Sequence, residues 1–189
     1  MIVRPGKMMD GGPKQYAVRA CVQEFLSGVE RLRQLRSSYE GRHCILDRER
    51  PSGMPNIRLV HDFPRYISTM AAGYLAGRPV SYTSEEQPDA LRAVLNCYGR
   101  CAADSVDAEL ARNASIYGRG VELVFADGDA QPRTVSLEPE HAFVVYDDTV
   151  EKKPLMGVYL LPRLNELGAE TGWDTIVYTD REILAFSGS

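Results

Sequence analysis

The sequence has 189 residues, of which 44% are hydrophobic and 25% charged, and its net charge is -4 at pH 7. This composition is that of an ordinary globular protein and excludes a wholly disordered chain. The negative charge argues against a protein that grips nucleic acid by neutralising its phosphates, and no apolar run approaches the roughly 20 residues that cross a bilayer.

The N-terminal part of the chain is predicted to be a flexible lead followed by a long helix. Residues 1–12 contain glycine and proline but no apolar segment of a signal peptide. We therefore expect synthesis in a cytoplasm, where the four cysteines stay reduced. Apolar residues at three- and four-residue steps predict an amphipathic helix from Gln15 to Tyr39, and a polar loop over 40–54 follows.

The stretch over residues 55–82 is predicted to form the central helix of the domain. Asn56 is a residue type that caps helix N-termini. The apolar positions that follow recur at three- and four-residue steps and predict one buried helical face: Ile57, Val60, Ile67, Met70, Ala71, Tyr74 and Leu75.

Glycine and proline set the expected ends of this central helix. We expect Gly77 to end it in the left-handed conformation and Pro79 to prevent its resumption, with a short strand over 79–82. Pro64 lies inside the apolar pattern and removes a backbone donor. The helix is therefore expected either to kink at Pro64 or to begin at Asp62.

Two shorter helices are predicted next. Ser84 and Gln87 form a capping box ahead of an amphipathic segment, which Gly99 is expected to end. Asp104 is expected to cap the following helix, and Gly118 to stop it.

From Gly120 onwards the apolar period changes to two, which predicts strands. Turn residues separate these strands into three hairpins: 121–125 with 133–137, 142–146 with 155–161, and 173–178 with 182–186. Long N-terminal helices followed by an antiparallel sheet of β-hairpins make an α+β fold. We expect a single domain over 13–189, mainly helical over 13–118 and mainly β-hairpins over 119–189.

The sequence predicts no metal site and no cofactor. Three histidines are far apart and lack a second ligand at helical spacing: His43, His61 and His141. Cys97 and Cys101 lack the second pair that a zinc site needs, so we interpret them as core or half-buried thiols. Asp127 and Asp129 flank a glycine as in a hairpin turn, and the acidic residue that closes a calcium loop is missing.

No catalytic residue is predicted either. Gly118 and Gly120 follow a helix and precede a strand, which is the reverse of the order in a phosphate-binding loop. A hydrolase or transferase that uses Cys44 or Cys101 with a histidine is an alternative, although no local nucleophile motif supports it.

Several short segments resemble phage portal proteins, in particular those of tailed, siphophage-type bacteriophages. Their order and spacing carry the resemblance: Tyr39-Glu40-Gly41-Arg42-His43, Pro55-Asn56, Gly73-Tyr74-Leu75-Ala76-Gly77-Arg78-Pro79-Val80, Tyr117-Gly118-Arg119-Gly120-Val121-Glu122-Leu123, Leu137-Glu138-Pro139 and Val144-Val145-Tyr146-Asp147. The resemblance runs from about Arg31 to Phe186, and the Gly-Tyr-Leu-x-Gly-x-Pro segment is its most specific part. Pro64 departs from it, because the family usually runs this helix unbroken.

The resemblance implies a structural protein rather than an enzyme. Portal subunits form a closed ring, typically a dodecamer, at one capsid vertex of the virion, and DNA enters and leaves through it without sequence-specific binding. The ring binds the packaging terminase, the capsid and head-completion proteins, and it assembles in the cytoplasm of the bacterial host. The portal has no ATPase of its own, and no Walker signature occurs in this sequence.

Portal proteins are longer than 189 residues, so the resemblance implies the N-terminal wing region of a longer portal or of a truncated prophage gene. The alternative is a head-morphogenesis module that shares the helical core without forming a ring. Six residues are expected to define the fold: Asn56, Tyr74, Gly77, Pro79, Gly118 and Gly120.

Two charged groups are candidate subunit contacts. One comprises arginines in a stretch where acids and bases alternate, which is also typical of a solvated face: Arg31, Arg33 and Arg36. The other lies in the loop of the second predicted hairpin, where a solvated loop tip is the alternative: Asp147, Asp148 and Glu151.

Overall fold

A computed structural model describes residues 1–187, and the chain divides into two compact units. Unit 1 comprises Met1–Arg31 and Glu140–Ser189, and unit 2 comprises Leu32–Pro139. The elements in chain order are β1 (Ile2–Val3), α1 (Gln15–Tyr39), α2 (Phe63–Ala76), α3 (Pro88–Cys101), α4 (Ala103–Tyr117), β2 (Val121–Ala126), β3 (Pro132–Leu137), β4 (Ala142–Tyr146), β5 (Pro154–Leu164), β6 (Glu170–Tyr178) and β7 (Ile183–Ser187). The single domain expected over 13–189 stays a prediction, and its last two residues lie outside the described part.

The predicted α+β class is confirmed, because four helices precede the hairpins. The five-stranded sheet has the order β1-β4-β5-β6-β7, and β2 and β3 form a separate hairpin. Neighbouring strands from β4 to β7 are antiparallel, as expected. The sheet is nevertheless mixed, because β1 pairs with β4 in parallel. Strand β1 was not predicted, since two residues within a glycine-rich lead show no periodicity.

The core of unit 1 lies between α1 and one face of the sheet. Strand alternation brings Val145, Val158 and Val177 to that face, and adjacent strands pair Val158 directly with Val177. The Phe25 ring from α1 stacks on the Phe143 ring of β4 with centroids 4.5 Å apart. The apolar stripe of α1 that the sequence predicted is therefore the stripe that packs on the sheet.

Unit 2 consists of the end of α1, three further helices and the β2–β3 hairpin. Helix α2 packs against α4, and both α3 and α4 contact β3. The hairpin turn is held by Asp127, whose carboxylate accepts the N–H of Gln131 at 2.9 Å and Arg133 Nε at 2.8 Å. The Arg133 guanidinium holds the pKa of that carboxyl below its usual value. These bonds confirm the hairpin predicted around residues 127–129.

The central helix begins later than its apolar pattern suggested. Helix α2 begins at Phe63 with Asp62 as the residue before it, which is the alternative that Pro64 indicated. The helix start expected at Asn56 is wrong. Residues 55–61 are outside any helix or strand, and the Asn56 side chain donates to the Arg48 carbonyl oxygen at 3.0 Å.

The expected end of α2 is only partly right. The helix ends before Gly77, but Gly77 has φ -73° and is not left-handed. A β-carbon at Gly77 would instead collide with the Gly73 carbonyl oxygen, so close contact with the preceding turn explains the glycine. The strand expected over 79–82 is absent, since these described residues pair with no strand.

The two shorter helices differ from prediction at their junction. Ser84 accepts the Gln87 N–H at 3.1 Å, which is one half of the predicted capping box. Helix α3 continues through Gly99, so the stop expected there is wrong. Helix α3 ends at Cys101. Ala102, with φ +50°, lies between α3 and α4 and takes the capping position of both helices, so the cap expected from Asp104 is wrong as well. One glycine inside a helix costs only about 1 kcal/mol, so Gly99 by itself does not end this 14-residue helix.

Gly118 and Gly99 allow a paired stability test with opposite expected signs. Gly118 ends α4 with φ +74°, as predicted, so Gly118→Ala should lower the free energy of unfolding by about 1–2 kcal/mol. Gly99 lies inside α3 with open space around it, so Gly99→Ala should raise the free energy by up to about 1 kcal/mol. Urea unfolding followed by circular dichroism measures both, and equal effects of the two substitutions would contradict this explanation.

Candidate subunit interface on unit 2

Unit 2 buries very little apolar surface. In this unit, all of whose residues are described, the buried apolar residues are Leu32, Ala111 and Pro139. Unit 1 buries more than ten, in a smaller number of residues. Because apolar burial is the main favourable term in folding, unit 2 is poorly stabilised by its own contacts.

Helix α2 shows why this core is so small. Its buried and half-buried positions recur every four residues and carry short side chains: Pro64, Ser68, Ala72 and Ala76. Since α2 packs against α4, this row of small residues lets the two helices approach closely. Ser68 is the buried residue of α2.

The large apolar side chains of α2 lie on its exposed side. We define the outer face of α2 by five such residues, Phe63, Tyr66, Ile67, Met70 and Tyr74, together with Leu75, which lies at its edge on the side of α4. Tyr74 is 89% exposed and Leu75 is 76% exposed. A monomeric soluble protein rarely exposes a contiguous apolar stripe of this kind, so the outer face is a candidate interaction surface.

The apolar stripe of α2 is evident in the sequence, where its periodicity predicts a buried face, but in the structure it is exposed. Periodicity shows that a helix has an apolar side, but not which partner covers that side. The signal that was missed is the second row, with a proline, a serine and two alanines at four-residue spacing. Small residues in such a row indicate close helix packing, and that row is the side that α4 covers.

A groove of about 490 Å³ lies between the C-terminal end of α2 and helix α4. We define this acceptor groove by its apolar residues Leu75, Pro79, Val80 and Leu110 together with its charged residues. Gly120 also lines it, and a β-carbon at this position would lie 3.1 Å from the Leu110 carbonyl oxygen. Pro79 and Gly120, both expected to define the fold, therefore shape the groove.

The charge of the acceptor groove is predominantly negative. Asp104, Asp107 and Glu122 line it together with one base, Arg78. Among the described residues Asp104 and Asp107 form no salt bridge, whereas Glu122 accepts a hydrogen bond from the Thr134 hydroxyl. The groove thus combines an apolar interior with two exposed carboxylates that lack an ionic partner.

The three candidate arginines of α1 differ in their surroundings. Arg31 and Arg33 are exposed. Arg36 bonds to Glu40 and Glu138, both at 2.9 Å, and its bond lowers the pKa of the Glu40 carboxyl. Contacts of these arginines with a neighbouring subunit stay predictions, and Arg36 is already paired within unit 2.

The acidic loop between β4 and β5 has one buried member. Asp147 is buried, and one of its oxygens accepts bonds from the Thr149 hydroxyl at 2.7 Å and the Lys153 N–H at 2.9 Å. Asp148 is exposed, and Glu151 pairs with Lys153 at 2.8 Å. Asp147 therefore organises its own loop, whereas subunit contacts by the loop stay a prediction.

The Asp147 carboxyl should make stability depend on acid pH. The bond from the Thr149 hydroxyl, with N–H groups of Lys153 and Thr149, lowers its pKa below the usual value. A lowered pKa stabilises the fold above the unfolded value of about 3.9, and this stabilisation is lost as pH falls through the folded pKa. The melting temperature of Asp147→Asn should therefore lie below that of the unsubstituted chain at pH 7 and converge with it at acid pH. The exposed Asp148→Asn is the control, and a difference that grows at acid pH would contradict the prediction.

The residues weighed as metal ligands form no metal-binding group in the described part of the chain. No group of three or more histidine, cysteine or acidic side chains there is placed to hold a metal ion. Cys97 and Cys101 lie on one face of α3, and both thiols point at the Pro132 carbonyl oxygen, Cys101 at 3.2 Å. All four cysteines are free thiols. The His43 Nε2 atom is buried without a hydrogen-bond partner, and the His61 ring lies 5.9 Å from that of Phe63.

None of the helices in the described residues is long and apolar enough to cross a membrane.

Comparison with known proteins agrees with the short segments identified in the sequence. The model of a family described as phage portal protein, SPP1 Gp6-like, matches residues 19–189. No curated protein matches the sequence. The matched residues include all of unit 2 and most of unit 1. The family is one of structural virion proteins at the capsid, not of enzymes, and it is associated in general with capsid and terminase. The chain belongs to the phage portal protein family.

Proposed function

We propose that the chain is the wing region of a portal subunit and that its copies form a closed ring at one capsid vertex. DNA passes through this ring during packaging and ejection, without sequence-specific contacts. Family membership supports the portal role. The net charge of -4 suits a channel that must let DNA slide, because a basic surface would hold the phosphates.

The outer face of α2 is the observation that carries the proposal. Ring closure needs a surface on each subunit that is covered only after assembly, and the contact between neighbours in a cyclic ring is heterologous. The apolar residues of the outer face are exposed in the single chain. Burying them against a neighbouring subunit supplies apolar contact that unit 2 lacks by itself.

The remaining features of the proposed function follow the family. The ring is typically a dodecamer, receives DNA from the terminase and joins the capsid to head-completion proteins. Its subunits are made in the cytoplasm of the bacterial host and end in the virion. The role is mechanical, and the terminase supplies the energy.

Mass photometry and negative-stain electron microscopy of the complete gene product that carries residues 1–189 test the proposal. The expected result is a closed ring of about twelve copies with a central channel. A stable monomer or dimer over the micromolar range would overturn the ring. That result would favour the alternative, a head-morphogenesis module that does not form a ring.

A further inference from the structure

We propose that the segment Ile57–Leu59 of one subunit inserts into the acceptor groove of the next subunit. This inference rests on the proposed ring and names the two surfaces that meet in it. We call Ile57, Arg58 and Leu59 the donor segment. The donor segment and the acceptor groove both belong to unit 2.

The donor segment is exposed and has no secondary-structure partner among the described residues. It lies in the stretch between the 3-10 helix Cys44–Asp47 and α2, where residues 55–61 form neither helix nor strand. Ile57 is 69% exposed and Leu59 is 70% exposed. Two large aliphatic side chains that stand in water on an irregular segment are strong candidates for burial in a partner's pocket.

Two side-chain hydrogen bonds connect the donor segment and its neighbour Asn56 to the preceding loop. The Arg58 guanidinium donates to the Leu46 carbonyl oxygen at 2.7 Å, and the Asn56 amide donates to the Arg48 carbonyl oxygen at 3.0 Å. These bonds tie the segment to the preceding loop. A segment held in this way loses less conformational entropy on binding than a free one.

Charge and polarity of the two surfaces are complementary. The donor segment is an alternation of an aliphatic residue, an arginine and a second aliphatic residue. The acceptor groove offers an apolar interior beside three carboxylates and a single arginine, and Asp104 and Asp107 are in no salt bridge among the described residues. An arginine next to two aliphatic anchors therefore matches a negatively charged, apolar groove.

The geometry makes this contact intermolecular. The donor segment precedes the first residue of α2, whereas the groove is built at the other end of that helix, by Leu75 and Ala76. A helix of 14 residues is about 20 Å long, and no donor residue lines the groove of its own chain. Donor and acceptor are two different patches on one unit, so their contact is head to tail and propagates from copy to copy until the ring closes.

A charge exchange between Arg58 and Asp107 tests the inference on the complete gene product. Arg58→Asp alone and Asp107→Arg alone should each weaken subunit association about tenfold or more, because each substitution sets two like charges against each other. The double variant Arg58→Asp/Asp107→Arg should recover rings, which a merely misfolded protein does not do. Ring fraction is measured by mass photometry at equal concentrations.

The matched control is Asp129→Arg, which reverses an exposed acid in the β2–β3 turn outside both surfaces. It should assemble as the unsubstituted protein does. The inference would be overturned if both single variants formed rings normally. It would also be overturned if the double variant did not recover ring formation. Neither result would count against the ring of the unsubstituted protein. If the unsubstituted protein forms no ring, the proposed function fails first, so the two failures are distinguishable.

Discussion

Replacing Leu160 by alanine is expected to lower the free energy of unfolding of unit 1 by about 3 kcal/mol, within the usual range for a buried leucine. Leu160 is only 2% exposed and lies in β5 on the sheet face that α1 covers. Deleting its side chain removes apolar contacts and leaves a cavity that close-packed neighbours fill poorly. The measurement is urea unfolding followed by the fluorescence of Trp173, the single tryptophan, which lies in β6 of the same unit.

The neighbouring Leu161 is the matched control for this prediction. It is 41% exposed and points to the other side of the same strand. Leu161→Ala should therefore lower the free energy of unfolding much less, by no more than about 1 kcal/mol. Equal costs at the two positions would show that the sheet face covered by α1 is not the core of unit 1.

Replacing Tyr74 and Leu75 together by glutamate is expected to abolish ring assembly without unfolding the subunit. Exposed positions contribute little to the stability of a single chain, and substitutions at such positions usually change it by about 0.5 kcal/mol or less. At the centre of a desolvated interface, each anchor residue carries about 2 kcal/mol or more of binding energy. Losing both anchors corresponds to about 4 kcal/mol, so assembly should weaken by roughly several hundredfold, which mass photometry of the complete gene product measures.

Leu167→Glu serves as the control for the α2 substitution, because Leu167 is almost fully exposed in the turn between β5 and β6. It should leave both assembly and circular dichroism unchanged. The proposed interface would be contradicted if the double Tyr74/Leu75 variant lost its helical circular dichroism signal as well as its rings. In that case the outer face of α2 would be part of the subunit's own core.

Sequence reasoning worked where local chemistry decides the structure. Helix α1 has the predicted bounds, Gln15–Tyr39, because its apolar stripe is long and Pro13 precedes it. The hairpins were found because period-two alternation and turn residues point to the same strands. Gly118 has the predicted left-handed conformation because a helix that reverses into a strand needs it.

Prediction failed where contacts distant in sequence decide. The packing partner of α2 is set by the row of small residues that faces α4, so the apolar side expected in the core is exposed. Strand β1 depends on a parallel partner more than 140 positions away in the sequence. Helix α3 passes through Gly99 because a single helical glycine costs only about 1 kcal/mol and does not by itself end a helix.

The sequence allowed the family to be identified, but it did not reveal the surfaces of the candidate interface. The order of the portal-like segments identified the family, and the family model agrees. The donor segment and acceptor groove were missed, because Ile57 was assigned to a buried helical face and Asp104 to a helix cap. Both assignments depended on the expected helix starts. In the structure α2 starts only at Phe63, with Pro64 in its first turn, and α4 starts directly after Ala102.

The most direct test of the account is a cryo-electron microscopy map of the assembled complete gene product at side-chain resolution. We expect a closed ring in which the outer face of α2 is covered by a neighbouring subunit, with Tyr74 and Leu75 out of contact with water. A ring in which these two side chains remain solvated, or in which the subunit's own chain covers them, would contradict it.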